Sequence, residues 1–180
     1  MDRLRLATVW LGGCSGCHMS FLDLDEWLLD LAGRIELVYS PIVDHKVYPD
    51  NVDLCLIEGA VANQDNLEMV HRIRERTRLL VSFGDCAVTG NVTAMRNPLR
   101  KAEPILKRAY LELADVAPQI PAEPGIVPTL LERVTPVHEI VPVEYYLPGC
   151  PPSAERIRTL LSQLVEGREP RLIGGQIKYG

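Results

Sequence analysis

The residues of this sequence that are best suited to chemistry are its five cysteines: Cys14, Cys17, Cys55, Cys86 and Cys150. Cys14 and Cys17 form a CxxC pair in a glycine-rich loop, whereas Cys86 and Cys150 stand alone, far along the chain. In a cytoplasmic protein, reduced cysteines bind metals or carry out redox chemistry more often than they form disulfides. An odd number also indicates that at least one cysteine has a separate role.

The elements that must position these cysteines are strands that alternate with helices. Hydrophobic patterning predicts strands over residues 3–11, 34–40, 52–57, 79–83 and 139–146. It predicts helices over 18–31, 63–76 and 101–113, and a last helix that begins after Ser153. This alternation predicts an α/β fold, a flavodoxin-like open parallel sheet with helices on both faces.

Composition predicts one globular domain over residues 1–180, with an irregular proline-rich stretch over 118–136 on its surface. The 180 residues are 47% hydrophobic and 24% charged, which excludes a disordered chain. A net charge of −5 argues against nucleic-acid binding. The sequence contains neither a long apolar span nor a signal peptide or twin-arginine leader, so we expect a cytoplasmic protein with no membrane partner.

Four of the cysteines follow the predicted strands at their carboxyl ends. Parallel strands end at the same edge of the sheet, so Cys14, Cys17, Cys86 and Cys150 are expected to converge there. Cys55 lies inside the third strand and is expected to be a buried core residue.

Three kinds of site remain open on spacing alone. Four thiolates could hold a four-iron cluster or a zinc ion, although structural zinc sites more often use two compact cysteine pairs. The third alternative is a dithiol formed by Cys14 and Cys17 at a helix start, as in thioredoxin-like proteins. The flanking glycines and helix starts favour a bulky anionic cluster, because they bring backbone N–H groups close to it.

Four motifs occur in the order in which a known family carries them, and the similarity extends from about residue 4 to residue 172. The chain resembles the small, electron-transferring subunit of nickel–iron hydrogenases, especially that of the soluble NAD-reducing type. The motifs are Gly12-Gly13-Cys14-Ser15-Gly16-Cys17, Glu58-Gly59-Ala60-Val61, Gly84-Asp85-Cys86-Ala87 and Leu147-Pro148-Gly149-Cys150-Pro151-Pro152.

The resemblance implies one 4Fe-4S cluster on Cys14, Cys17, Cys86 and Cys150, with no catalytic residue in this chain. It implies a large-subunit partner that carries the nickel–iron centre and oxidises H2. No cysteine follows Cys150, so the electrons are expected to pass directly to diaphorase subunits that carry further clusters, FMN and NAD.

The alternative is a subunit of a complex I-like quinone oxidoreductase with one 4Fe-4S cluster. That family typically has adjacent cysteines at the first motif, whereas Ser15 and Gly16 separate them here. Gly90-Asn91 departs from the two glycines that relatives commonly carry. Glu58 is a candidate proton relay, against the simpler interpretation that it fixes the loop, and His18 is expected to pack at the helix start.

Overall fold

The computed structural model describes residues 3–177 and 179, so Met1, Asp2, Lys178 and Gly180 of the predicted domain lie outside the described residues. The strands are β1 (Leu4–Trp10), β2 (Ile35–Tyr39), β3 (Val52–Glu58), β4 (Val61–Asn63), β5 (Thr77–Phe83), β6 (Leu130–Thr135) and β7 (Tyr145–Leu147). The α-helices are α1 (Gly16–Leu22), α2 (Trp27–Ala32), α3 (Gln64–Arg76), α4 (Asp85–Thr89), α5 (Glu103–Lys107) and α6 (Ala154–Val165).

Five strands form one parallel sheet in the order β2-β1-β3-β5-β7. Counted within this sheet alone, the order is 2-1-3-4-5, which is the flavodoxin-like order. The predicted fold class is therefore confirmed. Within the described part of the chain, no helix is both long enough and apolar enough to cross a membrane.

The sheet is buried on both faces, because alternate residues of each strand enter opposite halves of the core. On one face, Leu54 and Leu56 of β3 pack with residues of α1, α2 and α6. On the other face, Cys55 and Ile57 pack with Val70 and Ile73 and with residues of α4. β3 lies at the centre of both halves, and it ends at Glu58.

The helix predicted over 18–31 is divided into α1 and α2. The break lies at Asp25, which adopts a positive φ of 49°. The N–H groups of Leu24 and Asp25 donate to the carbonyls of Phe21 and Leu22, which closes a tight turn between the two helices. The apolar spacing is continuous across this break, so periodicity alone could not reveal it.

The strand predicted over 139–146 is wrong over most of its length, because β7 covers only Tyr145–Leu147. Pro142 has no N–H with which to pair. The Glu144 side chain replaces part of the missing hydrogen bonding between strands, since its Oε2 accepts the N–H of Leu80 in β5 at 2.7 Å. The Arg74 guanidinium fixes the Glu144 carboxylate at 3.0 Å.

The stretch predicted to be irregular over 118–136 contains a strand in its last part. Residues 118–129 are irregular, but β6 pairs antiparallel with β4 in a second, two-stranded sheet. A 3-10 helix, Asn91–Leu99, packs against β6. The Asn97 side chain binds both the N–H and the carbonyl of buried Val134 at 2.8 Å, as a neighbouring strand would.

We expect Asn97→Ala to weaken the attachment of the 3-10 helix to the edge of β6, because the N–H and the carbonyl of Val134 then lose their partners. A buried unsatisfied polar group costs about 1–3 kcal/mol, so exchange of the Val134 amide should accelerate roughly tenfold or more. Hydrogen–deuterium exchange over residues 130–135 measures this, with peptides from β3 as the internal control. Unchanged exchange at Val134 would show that Asn97 does not hold this edge.

Candidate functional site

Four strand ends form one row at the carboxyl edge of the large sheet. Trp10 of β1 is in register with Glu58 of β3, Glu58 with Phe83 of β5, and Phe83 with Leu147 of β7. The segments that leave this row carry all four predicted ligands, Cys14, Cys17, Cys86 and Cys150. The register of the sheet therefore brings the predicted site residues to one edge.

The four thiols divide into an inner and an outer pair. Cys17 in α1 and Cys86 in α4 are buried, whereas Cys14 and Cys150 in the connecting loops are exposed. All four are free thiols. The site is thus closed towards the sheet and open towards the surface.

The Cys17 thiol interacts electrostatically with each of the other three thiols at this edge. Burial raises the pKa of the Cys17 thiol far above its usual value, and the neighbouring charges of Glu58, Cys86, Cys14 and Cys150 raise it further. Thiolates this close repel one another, so they need a cationic group between them to be deprotonated together.

Cys55 is separate from this group, as predicted. It lies inside β3 with its side chain fully buried, and burial raises the pKa of its thiol to about 12. It therefore remains protonated and acts as a core residue.

Gly84 is required for the sulfur of Cys17 to reach its position. Its backbone (φ 84°, ψ 162°) occupies a region that is open almost only to glycine. A Cβ at this residue would overlap Cys17 Sγ. The missing side chain therefore leaves room for the Cys17 sulfur.

Glu58 anchors the start of α1 beneath the site. Its side chain is buried; Oε2 accepts the N–H of His18 at 2.8 Å, and Oε1 accepts the N–H of Cys17 at 3.3 Å. His18 Nδ1 lies 2.5 Å from Oε2. These three contacts support the anchoring role of Glu58, and the proton relay remains a prediction.

Asp85 joins the two segments that carry Cys86 and Cys150. Its N–H donates to the carbonyl of Gly149 at 2.9 Å, and its Oδ1 accepts the N–H of Gly149 at 2.5 Å. This reciprocal pair of hydrogen bonds holds the two segments together. The positive charge of Arg156 lies close enough to interact with the Asp85 carboxylate.

Two residues next to the sulfurs, Asn91 and Thr93, were not predicted from the sequence to contact the site. Asn91 Nδ2 donates to Cys150 Sγ at 3.4 Å. The Thr93 hydroxyl donates to the carbonyl of Gly12 at 2.9 Å, and Thr93 also lies near Cys86, where it partly offsets the burial that raises the pKa of that thiol. The sequence feature that could have indicated this turn was the Gly90-Asn91 pair. Both residues have positive φ, which explains why glycines suit these positions.

The donor set bears on the metals that the sequence left open. Among residues 3–177 and 179, no group of three His, Cys, Asp or Glu side chains is arranged to hold a single metal ion. Four thiols on separate segments are a donor set that a four-iron cluster accepts. Cys86 interacts electrostatically with both Cys14 and Cys150, an association that a simple Cys14–Cys17 dithiol does not require.

Comparison with known proteins gives both a family and individual relatives. A family model described as the 20 kDa subunit of NADH ubiquinone oxidoreductase matches residues 14–164. One subunit of the vhu F420-non-reducing hydrogenase of Methanococcus voltae is 42% identical over 95% of this chain and 59% of its own length. The NAD-reducing hydrogenase HoxS subunit delta of Cupriavidus necator is 39% identical over 92% of this chain and 80% of its own length.

One solved structure matches nearly the whole chain. A chain in the crystal structure of an NAD+-reducing [NiFe]-hydrogenase in the H2-reduced state superposes with a TM-score of 0.94. The two are 43% identical, and the match covers 99% of this chain and 100% of that chain. The protein belongs to the family of the 20 kDa subunit of NADH ubiquinone oxidoreductase and, within it, to the hydrogenase small subunits that its motifs predicted.

Proposed function

We propose that this chain is the electron-transfer subunit of an NAD-reducing nickel–iron hydrogenase, a complex that oxidises H2 and reduces NAD+. The observation that carries the proposal is the full-length match to a chain of an NAD+-reducing hydrogenase at 43% identity. The similarity to subunit delta of the NAD-reducing enzyme also supports it.

In this proposal, Cys14, Cys17, Cys86 and Cys150 hold one 4Fe-4S cluster, which supplies one-electron transfer when bound. Support comes from the shared strand-end edge and from the mutual electrostatic effects of the sulfurs on Cys17. The space left by Gly84 beside Cys17 Sγ is a third supporting feature.

The chain's own residues contribute position and shielding. Glu58 holds the start of α1, and Asp85 holds the Cys150 loop, so both fix sulfurs relative to the sheet. The buried sulfurs of Cys17 and Cys86 are kept from water by the core, whereas Cys14 and Cys150 are left for a partner to cover.

The partner that covers this edge would be the large subunit with the nickel–iron centre. Exposed apolar side chains lie near the outer sulfurs: Trp10 precedes the Cys14 loop, and Val92 adjoins Asn91 beside Cys150. Burying such side chains is the usual driving force for association. Diaphorase subunits with further clusters, FMN and an NAD site would complete the complex, which we place in the cytoplasm.

Two other acceptors compete with NAD in this proposal. The similarity to a subunit of an F420-non-reducing hydrogenase favours a hydrogenase that uses another acceptor. The complex I-like alternative has less support, because Cys14 and Cys17 are not adjacent and the relatives described above are hydrogenase subunits.

The central test is to purify the chain with its co-encoded partners and measure iron, acid-labile sulfide and H2-dependent NAD+ reduction. We expect four iron atoms per chain at this site, and Cys86→Ala should lose both the cluster and turnover. Cys55→Ala is the matched control, since it removes a thiol that lies outside the site. Zinc without sulfide would contradict the cluster, and quinone reduction without H2 oxidation would favour the complex I-like alternative.

Glu58→Gln separates anchoring from proton transfer. The amide NH2 would face N–H donors, so we expect lower iron content but an unchanged rate of H2-dependent NAD+ reduction per cluster. The measurement is turnover divided by the cluster content of the same sample. A rate per cluster that falls by tenfold or more, with an unaltered cluster spectrum, would instead make Glu58 a proton relay.

Gly84→Ala should greatly reduce iron incorporation, because its Cβ would displace Cys17 Sγ. Gly125→Ala is the matched control: Gly125 also has a positive φ of 78°, but nothing lies within 4 Å of its added Cβ. Both residues have positive φ, so both alanine variants carry a backbone cost of about 1–3 kcal/mol. Iron and sulfide per chain give the comparison, and equal content in the two variants would argue against Cys17 as a ligand.

A further inference from the structure

Asn91 reaches Cys150 from a turn that directly follows α4. Gly90 and Asn91 adopt φ values of 86° and 35°. Asparagine tolerates such a conformation better than most residues. The turn directs the side chain back across the site, so that Nδ2 lies 3.4 Å from Cys150 Sγ.

The segment that carries Asn91 is held on two sides. The Thr93 hydroxyl ties it to the carbonyl of Gly12 in the loop before Cys14. At its far end, Arg96 donates to the carbonyls of Ala62 at 3.0 Å and Leu131 at 2.6 Å. These bonds connect the segment to both strands of the small sheet, so the backbone that carries Asn91 is held in place near Cys150.

We propose that Asn91 is a positioning residue that donates a hydrogen bond to Cys150 Sγ and raises the reduction potential of the cluster bound there. This inference rests on the proposed function, because it requires Cys150 to be a ligand. A thiolate sulfur is an acceptor, so only the NH2 group of the amide can face it favourably. The reduced cluster carries more negative charge, and a donor to its sulfur therefore stabilises it more than the oxidised cluster.

The open side of the site explains why this contact matters in the complex. Cys150 is exposed in this chain, so water competes for its sulfur. A large subunit over this edge would remove that water, and hydrogen bonds strengthen in a less polar environment. Asn91 belongs to this chain, so its amide stays with the sulfur when the partner docks.

Asn91→Gly in the purified complex tests the inference, because glycine accepts the same backbone conformation without the amide. Asn51→Gly is the matched control, since Asn51 also has a positive φ of 58° but precedes β3 at the opposite edge of the sheet. Redox titration followed by electron paramagnetic resonance gives the midpoint potential. We expect Asn91→Gly to lower the electron affinity of the cluster by up to about tenfold, or about 59 mV for one electron, and Asn51→Gly to leave it unchanged.

A second measurement identifies the hydrogen bond itself. Pulsed electron paramagnetic resonance before and after exchange into D2O detects exchangeable protons near the reduced cluster, and Asn91→Gly should lose one such coupling. Equal potentials and equal couplings in wild type and Asn91→Gly would overturn the inference while leaving the proposed function in place. If the Asn91→Gly variant loses iron, the isosteric Asn91→Asp variant takes its place in the test. The aspartate carboxylate has no hydrogen-bond donor, so we expect it to lower the midpoint potential as well. A wild-type complex without a four-iron signal would overturn both this inference and the proposed function.

Discussion

The geometry of the site depends on the register of parallel strands. Trp10, Glu58, Phe83 and Leu147 are aligned across β1, β3, β5 and β7 by backbone hydrogen bonds. Each cysteine-bearing segment begins at or next to this row. The distances between sulfurs that are remote in sequence are therefore set by the sheet, which is the most rigid part of the fold. Four thiols brought together in this way need no disulfide to hold them at one edge.

The carboxylate of Glu58, at the centre of this row of strand ends, affects the protonation of the neighbouring Cys17 thiol. Burial raises the pKa of the Cys17 thiol, and the charge of the buried Glu58 carboxylate raises it further, as do the other three thiols. Three contacts from the start of α1 satisfy the oxygens of Glu58. These effects favour the protonated form of Cys17, so its deprotonation requires a compensating positive charge.

The sequence predicted the parts that follow from local pattern and parallel topology. The strand order, the shared edge and the burial of Cys55 all follow from hydrophobic runs and from where strands end. The break at Asp25 was missed because apolar spacing continues across it. β6 was missed because its partner, the short strand β4, is distant in sequence, and β7 was placed too early because Glu144 replaces strand pairing. Asn91 was missed as a contact of Cys150 because only tertiary structure brings a turn after α4 to a loop after β7.

The small sheet that the sequence did not reveal determines the surroundings of the outer sulfurs. β4 and β6 hold the 3-10 helix Asn91–Leu99 through Arg96 and Asn97, and this helix carries the contacts to Cys150 and Gly12. The positions of the four sulfurs thus follow from the large sheet, while the hydrogen bonds to Cys150 and Gly12 come from a separate, less regular unit. Because Arg96 and Asn97 hold that unit against β4 and β6, a change in the small sheet can alter the surroundings of Cys150 while the register of the large sheet, which places its sulfur, stays the same.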